Sequence, residues 1–264
     1  MKYLLIAIIS FVVFIFSLYK YLVTSRERFP KEVTVEDVTD GDTIRVTGGD
    51  TVRYIGINAP EVGRKEEGRW VYDPEPFAEE AKALNEELVD GRKVRLEYDV
   101  VKRDKFGRLL AYVYVGDNLV NGRMISRGYA LTYIYPPNLK HANLLVRLQK
   151  GAKENDRGFW TEVKSHPISG DKAVQYIGRI KVVEGRVRNI YNGEKVIRLQ
   201  FGAPYKSDFH ITIFRNMLNR FESQGISPAM YYKKKKIRAW GLIKGFEGRP
   251  EMVIDDPSQI EVLE

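Results

Sequence analysis

Residues 33–57 read VTVEDVTDGDTIRVTGGDTVRYIGI, an alternation of apolar and polar side chains that breaks at Asp40-Gly41-Asp42 and again at Gly48-Gly49-Asp50. A period of two puts the apolar residues on one face of a strand, and glycine beside aspartate supplies tight-turn chemistry. The stretch is expected to form a three-stranded antiparallel meander with one buried face. That restricts the chain to folds in which a small sheet curls over a core.

The next segments extend the sheet. EPFAEEAKALNEELVDG sets Phe77, Ala81, Leu84 and Leu88 at helical spacing before a stop at Gly91. KVRLEYDVV and RLLAYVYVG read as two more strands around residues 102–108, and LVNGRMISRGYA and PNLKHANLLVRLQKGAKENDRGFW as two helices, the last ending near Gly158. Five strands with interspersed helices predict a closed Greek-key barrel of OB type, mainly β with helices, over residues 30–160. Residues 161–174 are polar, contain Pro167 and Gly170, lack periodicity and read as a linker. Residues 175–264 repeat the pattern without repeating the sequence: a hairpin around Asn192-Gly193, a strand carrying Phe209, Ile211 and Ile213, a helix, and closing strands. A second OB-like barrel is the expectation there.

The amino terminus differs in kind. Residues 3–19, extending to Val23, form an apolar run close to the ~20 residues that a helix needs to cross a bilayer. A transmembrane anchor over residues 1–25 is expected, with a cleaved signal segment as the alternative. Lys20, Arg26, Arg28 and Lys31 favour a cytoplasmic flank after the run, whereas the Met1-Lys2 start resembles a secretory leader, so the two flanks disagree about orientation.

Charge and composition narrow the chemistry. The chain has no cysteine, which excludes disulfides, thiolate metal sites and cysteine nucleophiles, and its three histidines, His141, His166 and His210, are not at metal-ligand spacing. The net charge of +8 is uneven: residues 27–174 hold 24 basic against 25 acidic residues, and residues 175–264 hold 16 against 10. The basic excess at the carboxyl end points to a polyanionic partner.

Asp42 opens the second strand of the meander, Arg53 lies near the start of the third, and Glu61 comes just beyond its end, so the first and last can converge across a barrel rim. Rim carboxylates bind hard cations, paired arginines such as Arg53 and Arg108 clamp a phosphoryl group, and a free carboxylate serves as base toward water. Together these groups specify phosphodiester hydrolysis.

Three motifs in order, DGDTIRV, VRYIGINAPE and RDKFGRLLAYVYV, with a late FW after them, resemble the staphylococcal nuclease (thermonuclease) family over residues 32–160. The resemblance implies a five-stranded OB-type barrel with three helices, and a calcium-dependent endonuclease that hydrolyses DNA and RNA by water attack on phosphorus. It gives Asp42 the role of calcium ligand, Ala59 that of a backbone-carbonyl ligand, Glu61 that of positioning or deprotonating water, Arg53 and Arg108 that of holding the scissile phosphate, and Tyr133 and Tyr135 that of flanking the nucleotide. Asn58 departs from the family's second aspartate. Its amide oxygen still coordinates Ca²⁺, with one formal charge fewer, so weaker metal binding is expected. In the basic domain, Lys233, Lys234, Lys235 and Lys236 beside Tyr231, Tyr232 and Trp240 are the candidates for a single-stranded nucleic-acid platform. The resulting expectation is a monomeric enzyme, membrane-anchored or secreted, with its barrel outside the cytoplasm and single-stranded or frayed DNA and RNA as partners. The alternative is a non-catalytic nucleic-acid-binding module of the same fold, against which the joint retention of Asp42, Arg53, Glu61 and Arg108 argues.

Overall fold

A computed structural model describes Ile15, residues 29–202 and residues 209–264. The apolar run expected to span a membrane lies, Ile15 apart, outside these residues. Among the described residues no helix is long and apolar enough to cross a membrane.

The meander forms as its alternation dictates. β1 (Glu32–Asp40), β2 (Thr43–Val46) and β3 (Thr51–Tyr54) pair antiparallel in sequence, burying Val35, Ile44, Val52 and Tyr54. The short β4 (Gly56–Asn58) and the hairpin β5 (Gly63–Glu66) with β6 (Arg69–Tyr72) lead to helix α1 (Ala78–Val89). Glu79 and Glu80 in its first turn suit the positive end of the helix dipole, and Gly91, at φ 64°, takes the left-handed conformation just past its end.

Next come β7 (Lys93–Glu97), β8 (Leu109–Val115), β9 (Asn118–Leu119), α2 (Val120–Ser126), β10 (Leu131–Tyr133), α3 (Ala142–Glu154) and α4 (Trp160–Ser165). β7 pairs with β1 and with β8, and β8 returns parallel to β3, which closes a five-stranded barrel in the order β1-β2-β3-β8-β7. One expectation about α1 is corrected. Of Phe77, Ala81, Leu84 and Leu88, only Ala81 is fully buried; it shares the buried face with Ala78, Asn85 and Val89, and the other three are half-buried. Asn85 is tolerated inside because its amide accepts from the Tyr54 hydroxyl and donates to the Asp40 carbonyl, both at 2.9 Å.

Residues 161–174 are not an irregular linker. They hold most of α4, then β11 (Ile168–Ser169), which pairs parallel with the next strand, and the start of a 3₁₀ turn over Gly170–Tyr176 that buries Ala173. Beyond them lie β12 (Ile180–Arg186), β13 (Asn189–Asn192), β14 (Val196–Gln200), β15 (His210–Phe214), α5 (Leu218–Glu222), α6 (Pro228–Tyr231), β16 (Lys236–Phe246), β17 (Arg249–Val253) and β18 (Ile260–Val262). β12 and β13 are consecutive pieces of one stretch. β13 pairs with β14, β14 with β15, β15 runs parallel to β17, β17 pairs with β16, and β16 returns to β12.

Residues 32–264 form one compact unit. Across the seam between the two rings, Trp160 meets Trp240 edge to face with centroids 6.2 Å apart, and the Lys153 ammonium lies 3.0 Å from the Trp240 ring centre. Asp255 accepts a hydrogen bond from the Ile134 amide at 2.7 Å, and Arg220 donates to buried Asp256 at 2.7 Å and to Asn143 at 3.4 Å.

Candidate active site

The Asp40-Gly41-Asp42 turn sits against the end of β4 and the start of α1. A side chain at Gly41 would strike Cβ of Ala59 at 2.6 Å and of Ala81 at 2.9 Å, so glycine lets the two acids reach the rim. Asp42 is 1% exposed. Its Oδ2 accepts from the Ala59 amide at 2.6 Å and pairs with the Arg53 guanidinium at 2.8 Å, while Oδ1 accepts from the Thr43 hydroxyl at 3.0 Å. Arg53 also donates to the Ile57 carbonyl at 3.0 Å and to Asn58 Oδ1 at 2.8 Å. Asp42, Arg53, Asn58 and Ala59 thus form one connected network on the barrel rim.

Asp40 belongs to this network, although its triplet reads in the sequence as turn chemistry alone. Its carboxylate accepts from the Asp42 amide at 2.9 Å. Burial, and after it repulsion from Asp42, pushes the Asp40 carboxyl up from the ordinary aspartate range, and burial does the same to Asp42 against the pull of Arg53. Glu61 is exposed at the lip. Partial desolvation and then the Asp40 charge raise its carboxyl, with Arg53 and Arg108 opposing. Its amide donates to Glu75 at 3.0 Å, and burial lifts the Glu75 carboxyl to about 7.

Arg108 is delivered by the loop after β7. The Asp104 carboxylate accepts from the Phe106 amide, from the Arg108 amide and, at 2.7 Å, from Arg108 Nε. Gly107, at φ 83°, lets the loop turn so tightly. Burial pushes the Asp104 carboxyl up, but the Arg108 hydrogen bonds outweigh it and hold it below the usual range.

Arg53, Asn58, Glu61 and Arg108 line one open cleft of about 690 Å³, together with Tyr133 and Tyr135. The two tyrosines are 40% and 60% exposed, so they are not core aromatics. Lys233, Lys234, Lys235 and Lys236 lie outside the cleft: Lys235 stacks on Tyr231 and Lys236 pairs with Glu264 at 3.7 Å. Trp240, a candidate for the same platform, is 3% exposed in the seam.

Among the described residues no three acids or histidines are grouped closely enough to hold a metal by themselves. The oxygen donors on the rim are the Asp42 carboxylate, the Ala59 carbonyl and the Asn58 amide. Crowded carboxylates facing a single guanidinium are a donor set that fits a hard cation.

The sequence comparisons bear on the same segment. A family model described as "Staphylococcal nuclease homologue" matches residues 51–162. The chain is 33% identical over 129 residues to "Thermonuclease" of Staphylococcus intermedius, covering 48% of this chain and 74% of that protein. It belongs to the staphylococcal nuclease family. The chain also resembles "SPbeta prophage-derived endonuclease YokF" (39% over 136 residues) and "Endonuclease YncB" (38% over 135 residues), both of Bacillus subtilis (strain 168). These alignments cover 50% and 49% of this chain, and 44% and 62% of those nucleases. Asp40 and Asp42 precede the matched residues 51–162, yet the barrel brings both to the rim beside Arg53.

Proposed function

We propose that the chain is a calcium-dependent endonuclease that hydrolyses phosphodiester bonds of DNA and RNA. The observation that carries the reading is the convergence of Arg53, Glu61 and Arg108 on one cleft, with Arg53 held there by buried Asp42 at 2.8 Å. Asp42, the Ala59 carbonyl and Asn58 would hold Ca²⁺, which supplies positive charge to the phosphoryl oxygens.

The chain's own groups do the rest. Glu61, exposed at the lip with its carboxyl raised by desolvation and by the Asp40 charge, is placed to accept the proton of the attacking water. Arg53 and Arg108 neutralise charge that develops on the equatorial oxygens, and both arrive preoriented, one by Asp42 and Asn58, the other by Asp104. Tyr133 and Tyr135 offer ring faces to the adjoining bases.

The apolar run at residues 3–23 supports a membrane-anchored or exported enzyme with its cleft outside the cytoplasm, where calcium is plentiful. The OB-like wiring of the second ring supports a nucleic-acid-binding partner lobe. The test is cleavage of plasmid DNA by the chain with calcium or with chelator. Calcium-dependent nicking that Glu61→Ala abolishes is expected; cleavage that is indifferent to Glu61 would reject the assignment.

A further inference from the structure

The cleft does not end at the first barrel. Lys244 of β16 also lines it, with its ammonium 4.7 Å from the Tyr133 ring centre. Tyr133, Tyr135 and Lys244 form one wall of a second depression, of about 200 Å³, that continues to Phe214 and Glu251. Those two residues in turn border a third, of about 760 Å³, that reaches Arg198, Phe246 and Tyr191. The three hollows run end to end from Arg53 across the second ring.

Strand register explains why these residues share a surface. Ile197, Leu199, Ile211, Ile213, Ile243 and Met252 point into the second ring's core. Their neighbours point out. Lys244 is paired with Glu251, Glu251 with His210, Thr212 with Arg198, and Arg198 with Tyr191, so one row on the side away from that core crosses five strands, buried in the middle at Glu251, His210 and Thr212 and reaching the surface toward Lys244, Arg198 and Tyr191. Four strand spacings of about 4.8 Å make that row roughly 19 Å wide.

Its charges are unequally committed. Glu251 is buried and accepts from the Thr212 hydroxyl at 2.7 Å while facing His210 at 3.2 Å, and Asp255 is taken by the Ile134 amide. Lys244 and Arg198 form no ion pair among the described residues, and Arg198 Nε is buried without a hydrogen-bond partner. The Arg198 guanidinium lies 5.2 Å from the centre of Phe246 and 5.7 Å from that of Tyr191, two exposed rings. Exposed aromatic rings interleaved with cations that form no ion pair suit bases and phosphates of an unpaired strand, and an apolar peptide would leave the Arg198 Nε unsatisfied.

We propose that this outward face is a binding track for single-stranded polynucleotide, continuous with the reaction cleft, with Lys244 at the junction and Tyr191, Arg198 and Phe246 holding the nucleotides beyond it. The site thereby shifts from the Lys233–Lys236 turn to the sheet face. The proposal rests on the nuclease reading only for the direction in which the strand runs.

Binding by the full-length chain, solubilised in detergent, to oligothymidylates of 4 and 16 nucleotides in chelator, read by fluorescence anisotropy, tests it. The parent is expected to gain affinity steeply with length. Tyr191→Ala with Arg198→Ala should shrink that gain about tenfold and flatten the salt dependence, while Tyr191→Phe with Arg198→Lys restores most of it. Matching thermal unfolding of parent and variants shows that the fold is intact. An unchanged length dependence in the alanine variant overturns the track even if the chain cleaves DNA. A length dependence that collapses in a chain unable to cleave DNA upholds the track and rejects the nuclease reading.

Discussion

In the first barrel the third strand, β3, presents Arg53 outward, and the turn before the second strand supplies Asp42 to meet it at 2.8 Å. In the second ring the corresponding strand, β15, presents His210 and Thr212 to Glu251 of the parallel fifth strand, and the second strand supplies Arg198. The wiring is the same: first, second and third strands antiparallel, third parallel to fifth, fifth to fourth, fourth back to first, with helix between third and fourth. The first ring brings Asp42, Arg53, Glu61 and Arg108 together at an open lip. In the second, buried Glu251 is answered by a histidine and a hydroxyl, and Arg198 on the neighbouring strand lies among aromatic rings. Fold therefore fixes where a site can stand, and a handful of side chains decide whether it is suited to chemistry or to holding.

The largest expected effect separates the two. Glu61→Gln removes the proposed base while keeping size and hydrogen bonding, so the cleavage rate should fall by about 10²–10⁴ with little loss of oligonucleotide affinity. Single-turnover cleavage and anisotropy on the same preparation check it. A parallel loss of binding would mean that Glu61 organises the cleft and is not the base.

A structural break comes next. Trp240 is buried against Trp160 at the seam, so Trp240→Ala should cost about 3–5 kcal/mol through the cavity that it leaves. Urea unfolding monitored by far-ultraviolet circular dichroism measures the loss. A single transition shifted as a whole would show that the rings unfold together. Two separated transitions would show that each stands alone and that the seam merely couples them.

How far the sequence is legible depends on the range of the interactions. The meander and the Asn192-Gly193 hairpin are local patterns and form where period and turn chemistry place them, whereas the helix expected to end near Gly158 stops at Glu154 and a separate one begins at Trp160. The buried face of α1 is hidden because Asn85 looks like a surface residue until Tyr54 and the Asp40 carbonyl, both distant in sequence, satisfy its amide. Residues 161–174 read as linker because β11 gains its structure from β12, a parallel pairing that leaves no local mark. Asp40 passes for a turn residue, since a DGD triplet serves a turn and a rim equally well. Arg53, Glu61 and Arg108 are legible through motif order, whereas the row from Lys244 to Tyr191 takes single residues from separate strands and emerges only from their register.

Protonation at the seam tests whether joining the rings has an electrostatic cost. Burial raises the Asp255 carboxyl from 3.8 to about 7, despite its hydrogen bond from Ile134. Between those values the folded chain holds a proton that the unfolded chain has released, so this group's contribution to stability falls as pH rises from about 4 to about 7. Asp255→Asn keeps an acceptor for the Ile134 amide and has no charge to bury. Its melting temperature should exceed the parent's at pH 8, with the advantage shrinking toward pH 4. An advantage independent of pH would place the titration elsewhere.

The smallest effect concerns the residue that departs from the family's usual acid. Asn58 Oδ1 is occupied by Arg53 at 2.8 Å, so the amide has two competing duties: orienting the clamp and lending an oxygen to a cation. Asn58→Asp adds charge beside Asp42 and keeps an acceptor for Arg53. If the oxygen faces the cation, the calcium concentration for half-maximal cleavage should fall several-fold with the saturated rate nearly unchanged. If it serves only Arg53, the calcium titration stays put and the change appears instead in the rate at saturating calcium, because a second acid draws the guanidinium away from the phosphate. Titrating parent and variant side by side tells a weakened cation site from a clamp that was never part of one.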